Sequence, residues 1–464
     1  MTFSVYAAAL DAPEYPAVVW PDGRISTWKE VAGQVAATAH RLRQSFGSGS
    51  APVAFSAENR PATVLTFWAL WELGWTAVPL HARWSEPERT KFVARLGLER
   101  TISDTRLTAF EHLDPMDPPP PRPHAKESIA AWLATSGSTG EPKAVALSRR
   151  AFAAAAEASA SRLGWRDGDR WLASLPFAHV GGLSVLTRCL EARKTVVMTP
   201  GSGSFSPKVL ADWADRQGVT ILSVVPAMFR RLLDERVVPP ERLRALLLGG
   251  AAAPAPWIEE GLSAGWPLWC TYGLTEACSQ VATGPAGELR GTPLLDGVEA
   301  RTIDGALEIR GDVLFSGYEP SGPRLRSDSW FRTGDRARLD GKLLQVLGRA
   351  DDMLITGGEN VHPAEVESVL LEHPAIRAAC VVGVEHDRWG QTVAAAIVGG
   401  RLGELELEAF FKDRLAGFRR PRRWRFVEEL PTNALGKVDR QAVRRLFAVG
   451  LVDGSEPTVS KEKK

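Results

Sequence analysis

The sequence predicts an α/β protein: a large N-terminal domain of α/β subdomains with a small β-rich unit at its end, then a small C-terminal α+β domain. Three observations carry this. Short apolar runs of strand length alternate with helical stretches through the first part of the chain. Around Asp296–Leu347 the pattern changes to short strands with glycine-containing turns at Asp304-Gly305 and Asp340-Gly341. From Asp351 a third pattern begins and fills a span of about 100 residues, the size of a separate small domain. The 464 residues are too many for one ordinary core, since domains run roughly 100–200 residues. The expected boundaries are 1–350 and 351–449, with a polar, charged tail at 450–464 predicted to be disordered.

The elements follow in order. Ala17–Trp20 and Ile25–Thr27 flank Pro21-Asp22-Gly23, a hairpin signal. Trp28–Arg43 has helical apolar spacing at Val31, Val35, Ala39 and Leu42. Pro52–Ser56 reads as a strand, Ala62–Leu73 as a helix and Thr76–Leu80 as a strand. Pro115–Pro123 is a proline-rich extended connector. Ile129–Thr135 is a strand entering a Gly/Ser/Thr loop, and Ala144–Leu147 is a strand leaving it. Thr195–Met198, Val209–Gln217, Ile221–Val225, Ala227–Leu233 and Leu246–Leu248 continue the strand–helix alternation. In the last domain Pro363–Glu372, Leu405–Leu415 and Asp439–Phe447 are helical, and Ala378–Val384 and Val393–Val398 are strands.

Composition narrows the function. Hydrophobic residues are 44% and charged residues 24%, a soluble globular balance. The net charge of +1 supplies no field to gather nucleic acid or an anionic membrane. No apolar run approaches the ~20 residues of a membrane span, and Met1–Pro16 lacks a signal peptide's basic start and apolar stretch. Cys189, Cys270, Cys278 and Cys380 show no metal-binding spacing, which predicts free thiols in a reducing cytoplasm. The sixteen tryptophans follow no period and are read as core and groove lining.

The strongest local feature is Thr135-Ser136-Gly137-Ser138-Thr139-Gly140-Glu141-Pro142-Lys143. Glycines let backbone N–H groups turn toward an anion, hydroxyls add donors, and Lys143 supplies charge for phosphate oxygens. It is not a Walker A loop, which ends in GK[ST] and opens a helix. Alone, it would serve equally well as a polar hairpin loop.

The loop resembles the phosphate-binding signature of the adenylate-forming superfamily of acyl-CoA synthetases, luciferases and peptide-synthetase adenylation domains. That superfamily usually has glycine after the lysine; Ala144 here implies a stiffer loop end. Six further segments fall in the superfamily's order. Leu247–Pro254, with Gly250 and Ala251, resembles the turn bordering the adenine. Thr271-Tyr272-Gly273-Leu274-Thr275-Glu276 resembles YGxTE, and Arg332-Thr333-Gly334-Asp335 resembles RTGD. Gly348-Arg349-Ala350-Asp351-Asp352, the Gly357–Glu367 segment and Pro431–Arg440, with Lys437, complete the set. Residues 1–128 carry no such signature.

The resemblance implies ATP, Mg²⁺ and coenzyme A as reactants. Ser136, Gly137, Ser138, Thr139, Gly140 and Lys143 would hold the phosphates. Lys437 would reach the carboxylate and α-phosphate, a task suited to a point charge on a flexible stem. Glu276 would help hold Mg²⁺, Thr275 would bond the α-phosphate, and Tyr272 would stack beside the adenine. Asp335 would accept the ribose hydroxyls, and Arg349 would donate to ribose or phosphate. Asp351 matches the hinge about which the small, mobile C-terminal domain rotates after adenylation.

Leu175–Gly182, with His179 and Gly181, falls where the superfamily lines the acyl pocket. It contains no aspartate to pair an amino-acid ammonium. Ser279-Gln280-Val281 soon after Glu276 resembles the o-succinylbenzoate–CoA ligases of menaquinone biosynthesis. Their substrate keeps a second carboxylate, which needs donors from Ser279, Gln280, His179 or a nearby arginine. The alternatives are another small aryl- or medium-chain acyl-CoA ligase and, from a different class, a nucleotide-binding regulator without catalysis. Partners are a carboxylic acid, ATP and CoA, with no nucleic acid and no membrane span. The sequence is compatible with a monomer or a homo-oligomer.

Overall fold

Two sheets of mainly parallel strands carry the first of two units, Met1–Val346 and Leu347–Lys464. The sequence reading set this division at 350/351. The structure, a computed structural model, describes residues 3–136, 142–201, 205–287, 291–322, 324–325, 328–357, 359–386, 389–412, 414–432 and 438–448. The phosphate-loop residues Gly137–Glu141, the segment 433–437 with Lys437, and the tail lie outside the described residues.

The first sheet has eight strands in the order Ser279–Pro285, Leu268–Leu274, Ala245–Leu248, Ile221–Val224, Arg170–Ala173, Thr195–Met198, Pro16–Val19 and Ile25–Thr27. All pairs from Leu268–Leu274 to Pro16–Val19 are parallel. The second has six: Gly317–Glu319, Pro142–Ser148, Ile129–Ser136, Ala77–Leu80, Val53–Ser56 and Arg100–Ile102. Its central strands are apolar without alternation and buried along their length, as strands covered by helices on both faces must be.

The helices between strands are set by their sequences. Trp28–Phe46 starts at a capping box in which Thr27 and Glu30 satisfy each other's backbone N–H groups at 2.8 and 3.3 Å. Such a cap stabilises by about 1 kcal/mol. Its Val31, Val35, Ala39 and Leu42 stripe is buried, as the spacing predicts. The Pro61–Leu73 helix is buried almost all round; its Thr66 hydroxyl is satisfied by Ala62 O at 2.7 Å. Trp28, Trp68, Trp71 and Trp171 are fully buried, and burying an apolar side chain of this class contributes roughly 3 kcal/mol. The small β-rich region is a five-stranded sheet containing Phe331–Asp340 and Ala306–Arg310.

The second unit is built on the long hairpin of Ile376–His386 and Gly390–Gly399. Its alternate residues point to opposite faces. Val381, Val393, Ala395 and Ile397 pack with Val366, Leu370, Leu407 and Phe411 from the Pro363–Leu370 and Glu404–Lys412 helices. Cys380, Val382, Ala394 and Ala396 pack with Val443 and Phe447 from the Arg440–Ala448 helix.

Candidate active site

Parallel α/β sheets present ligand sites at the carboxyl ends of their strands, where helix N-termini and loops gather. Four of the predicted segments lie along that one edge of the first sheet. Arg170–Ala173 leads into the His179 loop, and Ala245–Leu248 leads into Gly249-Gly250-Ala251. Leu268–Leu274 carries Thr271, Tyr272 and Gly273 and ends in the short 3-10 turn Thr275–Ala277, which holds Glu276. The antiparallel return strand Ser279–Pro285 brings Ser279 and Gln280 beside them.

Two glycines are dictated by geometry. Gly250 sits at φ +85°, a conformation an L side chain resists. At Gly273 a Cβ would stand 1.7 Å from Ser279 O. The pairing of the two strands slips between Tyr272 and Gly273, and only a bare backbone allows that bulge.

The residues expected to meet the nucleotide come from three sheets. The Tyr272 hydroxyl donates to Asp335 Oδ2 at 2.6 Å. Asp335 is buried and its own N–H donates to Thr333 Oγ1, while the Thr333 hydroxyl donates to Leu307 O. The aspartate is thus fixed by its own neighbours. Lys143 begins the exit from the phosphate loop, on the strand Pro142–Ser148, and its Nζ lies 5.4 Å from the centroid of the Tyr318 ring. The Tyr318 hydroxyl donates to Glu276 Oε1 at 2.9 Å. Among the described residues no three His, Cys, Asp or Glu side chains converge as a metal cluster. A magnesium ion carried in on a triphosphate needs only one or two carboxylates, keeping waters and phosphate oxygens for the rest. Glu276, with Oε1 anchored and Oε2 available, fits that demand.

The acyl side contains residues that the sequence did not single out. Asn59, after the Val53–Ser56 strand, donates to Ala173 O and Leu175 O at 3.1 and 2.9 Å and accepts from Phe177 N at 3.0 Å. It clamps the loop that carries His179. His81, after the Ala77–Leu80 strand, places its ring 4.9 Å from the His179 ring. Burial, then the charges of Arg83 and Arg89, lower the His81 pKa to about 4, so it is neutral at physiological pH. Gln280 is buried in the strand; its amide donates to Thr283 Oγ1 at 2.9 Å and Thr271 Oγ1 at 3.4 Å, and its Oε1 has no partner among the described residues.

Arg188 is the strongest addition. It lies on the Val180–Ala192 helix, 3% exposed, with its guanidinium 5.4 Å from the Trp171 ring centroid. Its Nε and Nη2 have no hydrogen-bond partner among the described residues. Burial lowers its pKa to about 10, while the neighbouring Cys278 and Cys189 thiols raise it. The arginine therefore remains charged, next to the residue that precedes Ser279-Gln280. A lone charge inside the otherwise uncharged stretch Leu183–Leu190 is the sequence signal that could have found it.

In the second unit, Arg349 Nη2 lies 3.6 Å from Asp351 Oδ2. Arg440 holds Glu367 at 2.7 Å, Asp352 at 3.1 Å and Val381 O at 2.7 Å. Pro431 O accepts from Asp439 N, and Thr432 bridges to Val438, so both ends of the segment bearing Lys437 are pinned.

The AMP-binding enzyme pattern matches residues 5–319, and the AMP-binding enzyme C-terminal domain matches 365–437. The chain belongs to the AMP-binding enzyme family. Within this family it is 35% identical to the 2-succinylbenzoate–CoA ligase of Geobacillus kaustophilus, over 92% of this chain and 94% of that one. It is 32% identical to the ligase of the same name from Bacillus pumilus, over 96% and 97%. Among solved structures of AMP-binding enzymes, it superposes on the o-succinylbenzoate CoA synthetase MenE of Bacillus subtilis in complex with the acyl-adenylate OSB-AMP. That match has a TM-score of 0.87 at 29% identity and covers 98% of this chain and 99% of the other. The same enzyme in complex with ATP and magnesium matches with a TM-score of 0.83 at 30% identity, over 94% and 98%.

Proposed function

We infer that this chain is an ATP-dependent, AMP-forming 2-succinylbenzoate–CoA ligase of menaquinone biosynthesis. The observation that carries the substrate is Arg188, a buried cation beside Cys278-Ser279-Gln280 whose Nε and Nη2 have no partner among the described residues. A buried charge without a partner is costly. A dicarboxylic acid supplies the missing anion: one carboxylate reacts and the other meets the guanidinium, which is shaped for a carboxylate. An acid with one carboxylate would leave Arg188 unsatisfied, which counts against the simple aryl or medium-chain alternative.

In the first half-reaction a carboxylate oxygen attacks the α-phosphorus of ATP; the α–β bridging bond breaks and pyrophosphate leaves. In the second, the CoA thiol sulfur attacks the acyl carbon, the thiol proton is lost, and AMP leaves. Both steps concentrate negative charge, so fixed donors are needed where it develops. Lys143 faces the phosphates, Thr275 presents its hydroxyl at the strand end, and Asp335 holds the ribose in place. A bound magnesium ion, held by Glu276, would neutralise charge on the departing pyrophosphate. Lys437 and Asp351 keep the roles the resemblance assigns them, a movable cation and a pivot. The location proposed is the cytoplasm; among the described residues no helix is long and apolar enough to cross a membrane.

The test is pyrophosphate release with ATP, Mg²⁺ and CoA across 2-succinylbenzoate, benzoate, substituted benzoates, cinnamates and medium-chain fatty acids. Turnover with 2-succinylbenzoate, completed to the thioester, is expected. Turnover with a monocarboxylic acid and none with 2-succinylbenzoate would discard the substrate and keep the ligase class.

A further inference from the structure

Tyr318 lies in the β-rich stretch Asp296–Leu347 but in none of the motif segments to which the sequence analysis gave a role. It is the middle residue of the short strand Gly317–Glu319, which pairs antiparallel with Pro142–Ser148, the strand leaving the phosphate loop; Tyr318 stands opposite Val145. From there its ring faces Lys143 Nζ at 5.4 Å, and its hydroxyl donates to Glu276 Oε1 at 2.9 Å. One side chain thus meets the cation of one sheet's loop and the carboxylate of the other sheet's edge.

The surroundings hold that ring still. Phe315 packs on it edge to face with centroids 4.8 Å apart. Phe315 N donates to Glu276 O at 2.8 Å, so the backbone before Tyr318 is tied to the same glutamate whose side chain the phenol grips. Gly322 N closes a turn onto Tyr318 O, and a Cβ at Gly322 would meet Tyr318 Cβ at 2.4 Å. Backbone and ring are both constrained, which is the condition for a side chain to orient others rather than follow them.

The division of labour follows from chemistry. A carboxylate has two oxygens and several lone-pair directions. The phenol uses one oxygen and so fixes the rotation of the carboxyl group, presenting Oε2 in a single direction. A hydrogen bond to a charged acceptor is among the stronger ones available. The ring face attracts the Lys143 ammonium and limits where its stem can swing. We propose that Tyr318 is a positioning residue for adenylation. Its hydroxyl orients Glu276 toward the metal, and its ring holds Lys143 toward the phosphates.

The inference rests on the nucleotide roles given to Glu276 and Lys143 and not on the identity of the acid. Its test is therefore run without acid. ATP binding to the full chain is measured by calorimetry as Mg²⁺ is varied. Tyr318→Phe keeps the ring and removes the hydroxyl. The Mg²⁺ concentration for half-maximal ATP binding should rise about tenfold, the size expected for loss of one charged hydrogen bond, while affinity for metal-free ATP stays within twofold. Tyr318→Leu removes the ring as well, and metal-free ATP should then bind several-fold more weakly. A Tyr318→Phe chain with wild-type Mg²⁺ dependence would overturn the proposal. So would one in which metal-free and metal-bound ATP weaken equally, the mark of a purely structural role. Failure of the wild-type chain to use 2-succinylbenzoate would sink the substrate and leave this result standing.

Discussion

Tyr272 and Asp335 come from different sheets and meet through a 2.6 Å hydrogen bond from phenol to carboxylate. The aromatic ring expected beside the adenine and the acid expected on the ribose are thereby one unit. Replacing Asp335 with Ala removes the proposed ribose acceptor, and the KM for ATP should rise at least tenfold, since hydrogen bonds to charged groups are worth about 1.5–3 kcal/mol. Tyr272→Phe keeps the ring and the carboxylate, and should raise that KM only a few-fold. Steady-state kinetics with ATP varied at saturating acid would check both. Equal effects would show that the hydroxyl, not the ribose contact, dominates.

Arg188 should be retained at a cost to stability. Its buried guanidinium has two nitrogens without a partner among the described residues, and its contact with Trp171 offsets only part of their desolvation. Arg188→Met, similar in length and apolar, should make the protein more stable by about 1–3 kcal/mol in urea unfolding, even as it loses activity. A destabilised variant would mean that the charge is satisfied within the folded chain.

His81 predicts an acid-side loss of stability. Its folded pKa of about 4 lies below the ordinary 6.5, chiefly because burial disfavours the charged ring. The unfolded chain therefore binds the proton more readily. The stability linked to this group is fully present above pH 6.5 and is lost as pH falls toward 4, by on the order of 3 kcal/mol in all. The difference in unfolding free energy between wild type and His81→Asn should be constant above pH 6.5 and should shift against wild type as pH falls from 6.5 to about 4. Parallel curves would contradict the assignment.

Arg440 should hold the second unit together. It joins Asp352, Glu367 and Val381 O, and losing hydrogen bonds to charged groups in such a half-buried network costs about 1.5–3 kcal/mol. Arg440→Ala should expose a separate low-temperature unfolding step by calorimetry, while Glu367→Gln, which keeps an acceptor, should lose less. A single unshifted transition would argue against this role.

Much of the candidate site was legible because it sits on local sequence. The strands around the phosphate loop, the turn at Gly249-Gly250 and the YGxTE and RTGD segments are each contiguous. The Trp28–Phe46 helix was legible because its core stripe has one clean period. The Val180–Ala192 helix was not, because Ser184, Thr187 and Arg188 are buried together with Leu183, Val185, Leu186, Cys189 and Leu190, so polar and apolar residues do not sort into a wet and a dry face. The Leu268–Leu274 and Ser279–Pro285 strands were hidden by their glycine bulge and motif residues. Asn59 bonds residues 114 to 118 positions away, and His81 meets His179 across the gap between two sheets. No local pattern marks either one, since only the folded topology brings them together.

The most direct test of the central claim compares two acids on two chains. The acids are 2-succinylbenzoate and its analogue with the non-reacting carboxylate replaced by hydrogen; the chains are wild type and Arg188→Met. Pyrophosphate release gives kcat/KM for each. The account predicts that wild type prefers the dicarboxylate by on the order of a hundredfold or more, about the value of one buried charge pair, and that Arg188→Met abolishes the preference. A wild-type enzyme indifferent to the second carboxylate, or a preference that survives Arg188→Met, would contradict it.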